Sequence, residues 1–142
     1  IRTFYFTVQL EHGQRLIAKP NSKDYGSLSL FVQYHGTIKK IFQIKNTSFR
    51  PIPKVQSCFM EFIPFSENLY PDCQEDKLFE IIQSSFSQRR KLLINNLSLH
   101  IPKDRLLEIL QTLSLPAKVR AEDLTLEQFV KITRFISYYS IH

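Results

Sequence analysis

Ser48-Phe49-Arg50-Pro51-Ile52-Pro53-Lys54-Val55-Gln56-Ser57 is the stretch on which the reading of this chain turns. Each of its two prolines fixes its own φ and disfavours helix for the residue before it, so Arg50 and Ile52 are pushed toward extended geometry. The stretch reads as a stiff, non-helical rod. An apolar run precedes it, and Val55 to Ile63 follows, rich in β-favouring side chains. A stiff connector between two such runs holds Phe49 out at a strand end, flanked by Arg50 and Lys54. An aromatic ring among cations suits stacking on a nucleic-acid base beside phosphates. The plainer alternatives are a hydrophobic plug for Phe49 and solvated loop charges for Arg50 and Lys54.

Working outward toward the N-terminus, Ile38 to Ile44 reads as a strand, with Ile38, Lys40, Phe42 and Ile44 alternating against Lys39, Ile41, Gln43 and Lys45. It pairs antiparallel with Val55 to Ile63 only if the intervening motif turns back. Thr3 to Val8 is β-branched or aromatic throughout, which predicts a strand buried on both faces, as in a parallel sheet. A helix is expected near Glu11 to Ala18, supported by the Glu11–Arg15 spacing and weakened by Gly13 by about 1 kcal/mol relative to Ala. Lys19-Pro20-Asn21-Ser22-Lys23-Asp24-Tyr25-Gly26 is a turn-rich loop carrying two cations. Ser27 to Tyr34 alternates poorly, and periodicity alone leaves helix and strand open.

Toward the C-terminus, Phe65-Ser66-Glu67-Asn68-Leu69-Tyr70-Pro71 ends the strand signals and marks a boundary between portions 1–70 and 71–142. Asp72 and Glu75 have the form of an N-cap pair, and Leu78, Ile81, Ile82 and Phe86 follow at helical spacing. Pro102 is placed like a first-turn proline ahead of Leu106, Leu107, Leu110 and Leu113. Thr125 and Gln128 form a capping box before Phe129, Val130, Thr133, Ile136 and Tyr139. The second portion is expected to be a small helical bundle. A helix continuous from Phe86 groups Phe86, Leu93 and Leu97 within about 40°. On it Arg90 lies beside the apolar stripe and is read as structural, paired to an acid. Lys91 points away and Arg89 lies at the stripe's other margin; both are RNA candidates or a solvated face.

Composition narrows the partners. The 142 residues carry a net charge of +6, and nine Lys/Arg against four Asp/Glu fall in residues 1–70, but ten against nine in residues 71–142. The excess cation of the first portion favours an anionic polymer. No apolar run approaches the roughly 20 residues of a membrane helix, and no membrane partner is expected. Cys58 and Cys73 have no C-x-x-C spacing and no clustered His, so no metal is expected; a disulfide stays open, and free cytosolic thiols fit best. His12, His35, His100 and His142 are scattered, and no Ser-His-acid pairing can be argued from spacing.

Phe49-x-Pro51-x-Pro53-Lys54-Val55-x-Ser57 resembles the base-side motif of the ribosomal RNA adenine dimethylase family, which includes the bacterial 16S rRNA adenine N6,N6-dimethyltransferases. The similarity continues upstream in Gln9-Leu10-Glu11, Arg15-Leu16-Ile17-Ala18-Lys19-Pro20, Lys23-Asp24-Tyr25-Gly26, Leu28-Ser29 and Val32-Gln33-Tyr34. Downstream it continues in Phe86-Ser87-Gln88-Arg89-Arg90-Lys91 and Arg120-Ala121-Glu122-Asp123-Leu124. The family's glycine-rich cofactor turn and Asn-Leu-Pro-Tyr loop do not occur here, so the chain is expected to be the C-terminal part of a larger enzyme. Gln56 stands where the family is often acidic.

The resemblance implies an α/β fold: the C-terminal end of a Rossmann-like S-adenosylmethionine-dependent methyltransferase sheet, followed by a small all-α, RNA-binding domain. It places Ser27 to Tyr34 in a helix. It implies a cytoplasmic enzyme that dimethylates N6 of adenines in small-subunit ribosomal RNA, with S-adenosylmethionine held mainly outside this chain. Phe49 is expected to stack on the target base and Lys19, Lys23, Arg50, Lys54, Arg89 and Lys91 to contact RNA; the chain alone is expected to be inactive. A non-enzymatic nucleic-acid-binding relative and a large-subunit rRNA methyltransferase remain as alternatives.

Overall fold

The computed structural model describes residues 2–48, 50–52 and 54–141, and the chain divides into two compact units, Ile1–Leu69 and Tyr70–His142. The first unit runs β1 (Phe4–Gln9), α1 (Leu10–Ile17), α2 (Ser27–His35), β2 (Gly36–Ile44) and β3 (Ser57–Pro64). The strand order is β1-β3-β2, and β3 is antiparallel to both neighbours. β1 and β2 therefore point the same way. Strands that point the same way cannot be joined by a hairpin and need a crossover, which α1 and α2 provide.

The expectation for β1 is corrected. It pairs with β3 antiparallel, and Phe4 and Tyr5 are 49% and 58% exposed rather than buried. A run made only of β-formers favours a strand without saying which neighbours it receives. Pairing splits its side chains into two sets. Phe6 and Val8 lie opposite Met60 and Cys58, on the face that α1 covers, while Tyr5 and Thr7 share the other face with Glu61 and Phe59.

Gly13 is what lets α1 approach so closely. It is buried mid-helix, and a Cβ there would meet Cys58 Sγ, Met60 Sδ and Val8 Cγ2. Its poor helix propensity is offset by the close packing of helix on sheet. Ser27 to Tyr34 is helical, within α2; its buried Leu30 and Tyr34 complete that layer with Tyr25.

The simple alternation expected for β2 is also corrected. Its register against β3 shifts between Lys40 and Phe42, and the extra residue, Ile41, is a bulge. A bulge reverses the facing of all that follows it. Ile38 and Lys40 lie over Phe62 and Met60, but Phe42 lies over Phe59.

The second unit contains α3 (Glu75–Ser85), α4 (Leu93–Asn96), α5 (Lys103–Thr112) and α6 (Leu126–Ile141). Leu78, Ile81, Leu97, Leu106 and Phe129 are fully buried, as amphipathic spacing requires. The capping box of α6 forms: Thr125 N–H donates to Gln128 Oε1 at 2.9 Å, and Gln128 N–H donates to Thr125 Oγ1 at 3.2 Å.

Three local expectations fail here. Asp72 caps nothing, because a turn closed by Cys73 N–H to Tyr70 O delays α3 until Glu75, with Gln74 in the cap position. Pro102 is the N-cap of α5 rather than its first helical residue. No helix continues through residues 86–97: Phe86 is the C-cap of α3, and turns follow up to α4. Asn96 holds those turns by donating to the carbonyls of Ser85 and Gln88. No helix among the described residues is long and apolar enough to cross a membrane.

Candidate functional site

The motif loop leaves the sheet where three strand ends meet. Ser57, the first residue of β3, lies between Gln9, the last of β1, and Ile44, the last of β2. Residues 45–48, 50–52 and 54–56 therefore stand at the carboxyl ends of both same-direction strands. Open α/β sheets bind their ligands at that edge. The loop is tied down at its base. Leu10 N–H donates to Gln56 O at 2.8 Å, and the Gln56 side chain accepts from Gln43 Nε2. Gln56 thus serves as a neutral hydrogen-bonding strut.

The loop was expected to be a stiff, non-helical rod, and its described residues bend. Asn46–Ser48 forms a 3-10 turn, and bends occur at Arg50, Pro51, Lys54 and Val55. A proline fixes its own φ but leaves ψ free to turn the chain. Arg50 and Lys54 are exposed. Ile52 and Val55 are exposed beside them, an apolar surface among cations. Phe49, expected to stack on the base, and Pro53 lie outside the described residues.

Lys19 and Lys23 project from the turn between α1 and α2. That turn is rigidly built. Ser22 Oγ donates to Lys19 O at 2.8 Å, and Gln33 Nε2 donates to Ala18 O at 2.9 Å. Asn21 takes φ of 70°, the left-handed region that Asn tolerates. Tyr25 is 1% exposed, and burial pushes its phenol pKa well above its ordinary value. The two lysines therefore ride on an anchored turn.

In the second unit the reading of Arg90 is overturned. Arg90 is exposed, and it is Arg89 that reaches an acid, Glu122 Oε2, at 3.5 Å. The reason is the broken helix: without a continuous turn pattern, the angular argument does not apply. Leu93 N–H donates to Val119 O at 2.9 Å, and with the Arg89–Glu122 pair this joins the segment 89–93 to the segment 118–122. The joined segments carry the exposed cations Arg89, Arg90 and Lys91 on one side and Lys118 and Arg120 on the other. Sequence spacing held no signal for that grouping.

The structure also brings together a serine, a histidine and an acid that spacing did not connect. Ser84 Oγ lies 2.8 Å from His100 Nε2, and Glu80 Oε1 lies 3.9 Å from His100 Nδ1. A triad base needs its second nitrogen hydrogen-bonded to the orienting acid, and 3.9 Å is too long for that. The contact ties α3 to the segment before α5. Cys58 and Cys73 are free, buried thiols. Burial raises both pKa values, opposed by Lys40 and Arg134 respectively. Neither has the lowered pKa of a reactive thiolate.

These observations define a class: an α/β sheet end whose last strand runs backward between two same-direction strands, with a cationic loop at their carboxyl ends. The chain belongs to the ribosomal RNA adenine dimethylase family, which it matches over residues 1–137. It is 38% identical over 138 residues to the ribosomal RNA small subunit methyltransferase A of Bacillus cytotoxicus, covering 94% of this chain and 47% of that protein. It is 37% identical over 139 residues to the protein of that name from Blochmanniella floridana, covering 97% and 50%. The chain thus spans about half the length of the curated relatives it matches.

Among solved structures it resembles a dimethyladenosine transferase from Plasmodium falciparum, with TM-score 0.77 and 21% identity over 93% of this chain and 56% of that one. It also resembles the 23S rRNA methyltransferase ErmE, with TM-score 0.65 and 17% identity over 96% and 55%. At those identities the two structures speak to the fold alone.

The family implies S-adenosylmethionine, so the fit of that group to this chain can be tested on its glycines. Gly13 is packed against Cys58, and Gly36 against Ile63 O and the Phe62 ring. Only Gly26 has open space around it. A single such glycine is not the clustered backbone that cradles a nucleotide-like ligand. The glycines of this chain therefore form no such cradle for the cofactor.

Proposed function

We propose that residues 1–70 are the C-terminal end of a Rossmann-like methyltransferase sheet and residues 71–142 its small helical RNA-binding domain. Together they form part of an enzyme that dimethylates N6 of adenines in small-subunit ribosomal RNA. One observation carries this reading: the motif loop stands at the carboxyl ends of β1 and β2, the edge at which α/β sheets bind ligands, in a chain of this family.

Phe49 stacks on the extruded adenine as one wall of its pocket. Arg50 and Lys54 grip the flanking backbone, Lys19 and Lys23 extend that contact, and Arg89 and Lys91 act in the second domain. S-adenosylmethionine supplies the methyl group and is held by residues other than these. The enzyme works in the cytoplasm on the immature small subunit, and this chain alone transfers no methyl groups. The small-subunit target is favoured over the large-subunit alternative by the relatives' names.

The test is a series at Phe49 in the complete gene product. Base stacking contributes roughly 1 to 3 kcal/mol, so Phe49→Ala is expected to lower single-turnover methylation of small-subunit RNA by about one to two decades, with unchanged denaturant stability. Phe49→Tyr and Phe49→Trp are expected to retain most activity. A strongly destabilised Ala variant with normal activity in its folded fraction overturns the stacking role.

A further inference from the structure

The last turns of α6 carry aromatic surface that is part-exposed at Phe135 and exposed at Tyr138. Lys131, Arg134, Phe135 and Tyr138 recur at i, i+3, i+4 and i+7 and so share one face. The opposite face holds the buried Phe129, Ile132 and Ile136. Three concavities surround this end of α6. One of about 560 Å³ is lined by those four residues with Leu113 and Tyr139. A second, of about 400 Å³, is bordered by Arg105 and His100, and a third, of about 250 Å³, by Arg134 and Asp72. Tyr138 lines all three and is 57% exposed.

Charge sets the kind of partner. Among the described lining residues, Lys131, Arg134 and Arg105 face one acid, Asp72. Beyond the rim, Glu108 lies 3.9 Å from Arg105, and Glu127 precedes Lys131 by one turn. The Arg105 guanidinium also sits 5.2 Å from the Tyr139 ring centroid, and the Tyr138 and Tyr139 rings meet edge to face at 5.7 Å. Outstanding aromatic rings interleaved with cations are how proteins hold single strands: every base has a face to stack, and phosphates pass along the positive rim.

We infer that this face of α6 binds a single-stranded segment of RNA, with a base stacked on Tyr138 and flanking phosphates held by Lys131 and Arg134. The inference rests on the proposed function for its choice of RNA. It adds a site on the second unit, distinct in residues from the motif loop and from the joined segments 89–93 and 118–122.

Fluorescence anisotropy of the 142-residue chain with a labelled RNA single strand of about eight nucleotides tests it. Tyr138→Ala is expected to weaken binding about 5- to 150-fold, while Tyr138→Phe retains it. Lys131→Ala and Arg134→Ala are each expected to flatten the slope of log affinity against log salt by about 0.7. Thermal melts of each variant verify the fold, and the two exposed cations report independently should Tyr138→Ala unfold. Unchanged affinity in Tyr138→Ala together with unchanged salt slopes overturns the site. So does displacement of the RNA arm by preferential binding of a poly-glutamate peptide to the same residues.

A parallel arm measures a structured RNA hairpin against Arg50→Ala and Lys54→Ala. If only the hairpin arm responds to its variants, the α6 site fails alone. If only the single-strand arm responds, the α6 site stands and the role of the motif loop fails. If the unaltered chain binds neither RNA, both are overturned.

Discussion

In Tyr70–His142 most of the large apolar side chains close over one another, with Leu99, Leu107 and Tyr138 left exposed, whereas in Ile1–Leu69 one whole face of the sheet stays open. Leu78, Ile82, Leu106, Leu110 and Phe129 are at most 1% exposed, but Tyr5 and Phe42, on the open face, are 58% and 52% exposed. The difference follows from geometry. A helix has one apolar stripe, and a few helices can turn all their stripes inward. A sheet has two faces, and α1 and α2 cover only one. On the open face Phe59 stacks with Tyr5 at 5.7 Å and with Phe42 at 5.0 Å. Glu61 there accepts from the Tyr5 hydroxyl at 2.9 Å and pairs with Lys39 at 3.4 Å. That hydrogen bond, and then the charge behind it, raises the Tyr5 pKa. Under the proposed function this face and the free edge of β1 receive the rest of the methyltransferase sheet and its helices.

The comparison breaks or sharpens first in the helical core. Phe129→Ala is expected to destabilise the second unit by about 3 to 5 kcal/mol through lost burial and a cavity. Hydrogen exchange measured by mass spectrometry should localise the loss to peptides of α3 and α6. A loss smaller than 1 kcal/mol would mean that the bundle is not the closed core described.

The next effect falls on the covered face of the sheet. By helix propensity, Gly13→Ala should stabilise by about 1 kcal/mol. The structure reverses the sign: the new Cβ meets Cys58 Sγ, and overpacking is expected to cost about 1 to 3 kcal/mol. Adding Cys58→Ala should recover part of that loss. A Gly13→Ala chain more stable than the parent in urea would remove the close approach.

The open face should respond least. Phe42→Ala is expected to cost about 0.5 to 1.5 kcal/mol, the worth of an aromatic pair with little burial behind it. A loss as large as that of Phe129→Ala would show the face to be covered.

A last effect is confined to alkaline solution. Tyr25 is buried as the neutral phenol, with its pKa raised from the ordinary 10.0. Its contribution is fully present below pH 10.0 and is lost as pH rises from there toward the raised folded value, because the unfolded chain sheds the proton first. Cys58 and Cys73, raised from 9.0, act in the same direction from that lower pH. Tyr25→Phe should therefore flatten the upper part of the alkaline stability limb. An unchanged limb would remove Tyr25 as a buried neutral group.

What was legible in the sequence was local. The Thr125–Gln128 box, the apolar stripe of α3 and the motif Phe49 to Ser57 lie within a few residues, so spacing alone exposes them. The motif loop stood out as a candidate site because prolines, an aromatic residue and cations fall together in it. Its place at two carboxyl strand ends was not legible, since that depends on how β3 inserts. The α6 face was hidden for another reason: Lys131, Arg134, Phe135 and Tyr138 read as one side of an ordinary helix until α5 and residues 72–74 supply the walls beside it.

By itself the sequence determined which segments are strands and helices in the main, where the basic charge concentrates and which family's motifs the chain carries. These properties rest on single residues and near neighbours. Only the tertiary structure decided that β3 runs backward between β1 and β2, that the bulge at Ile41 turns Phe42 to the open face, that Gly13 is a contact and that Arg89 rather than Arg90 meets an acid. Each depends on pairing between segments tens of residues apart, where register and turn geometry are set by the whole packed unit and leave no periodic trace in the chain.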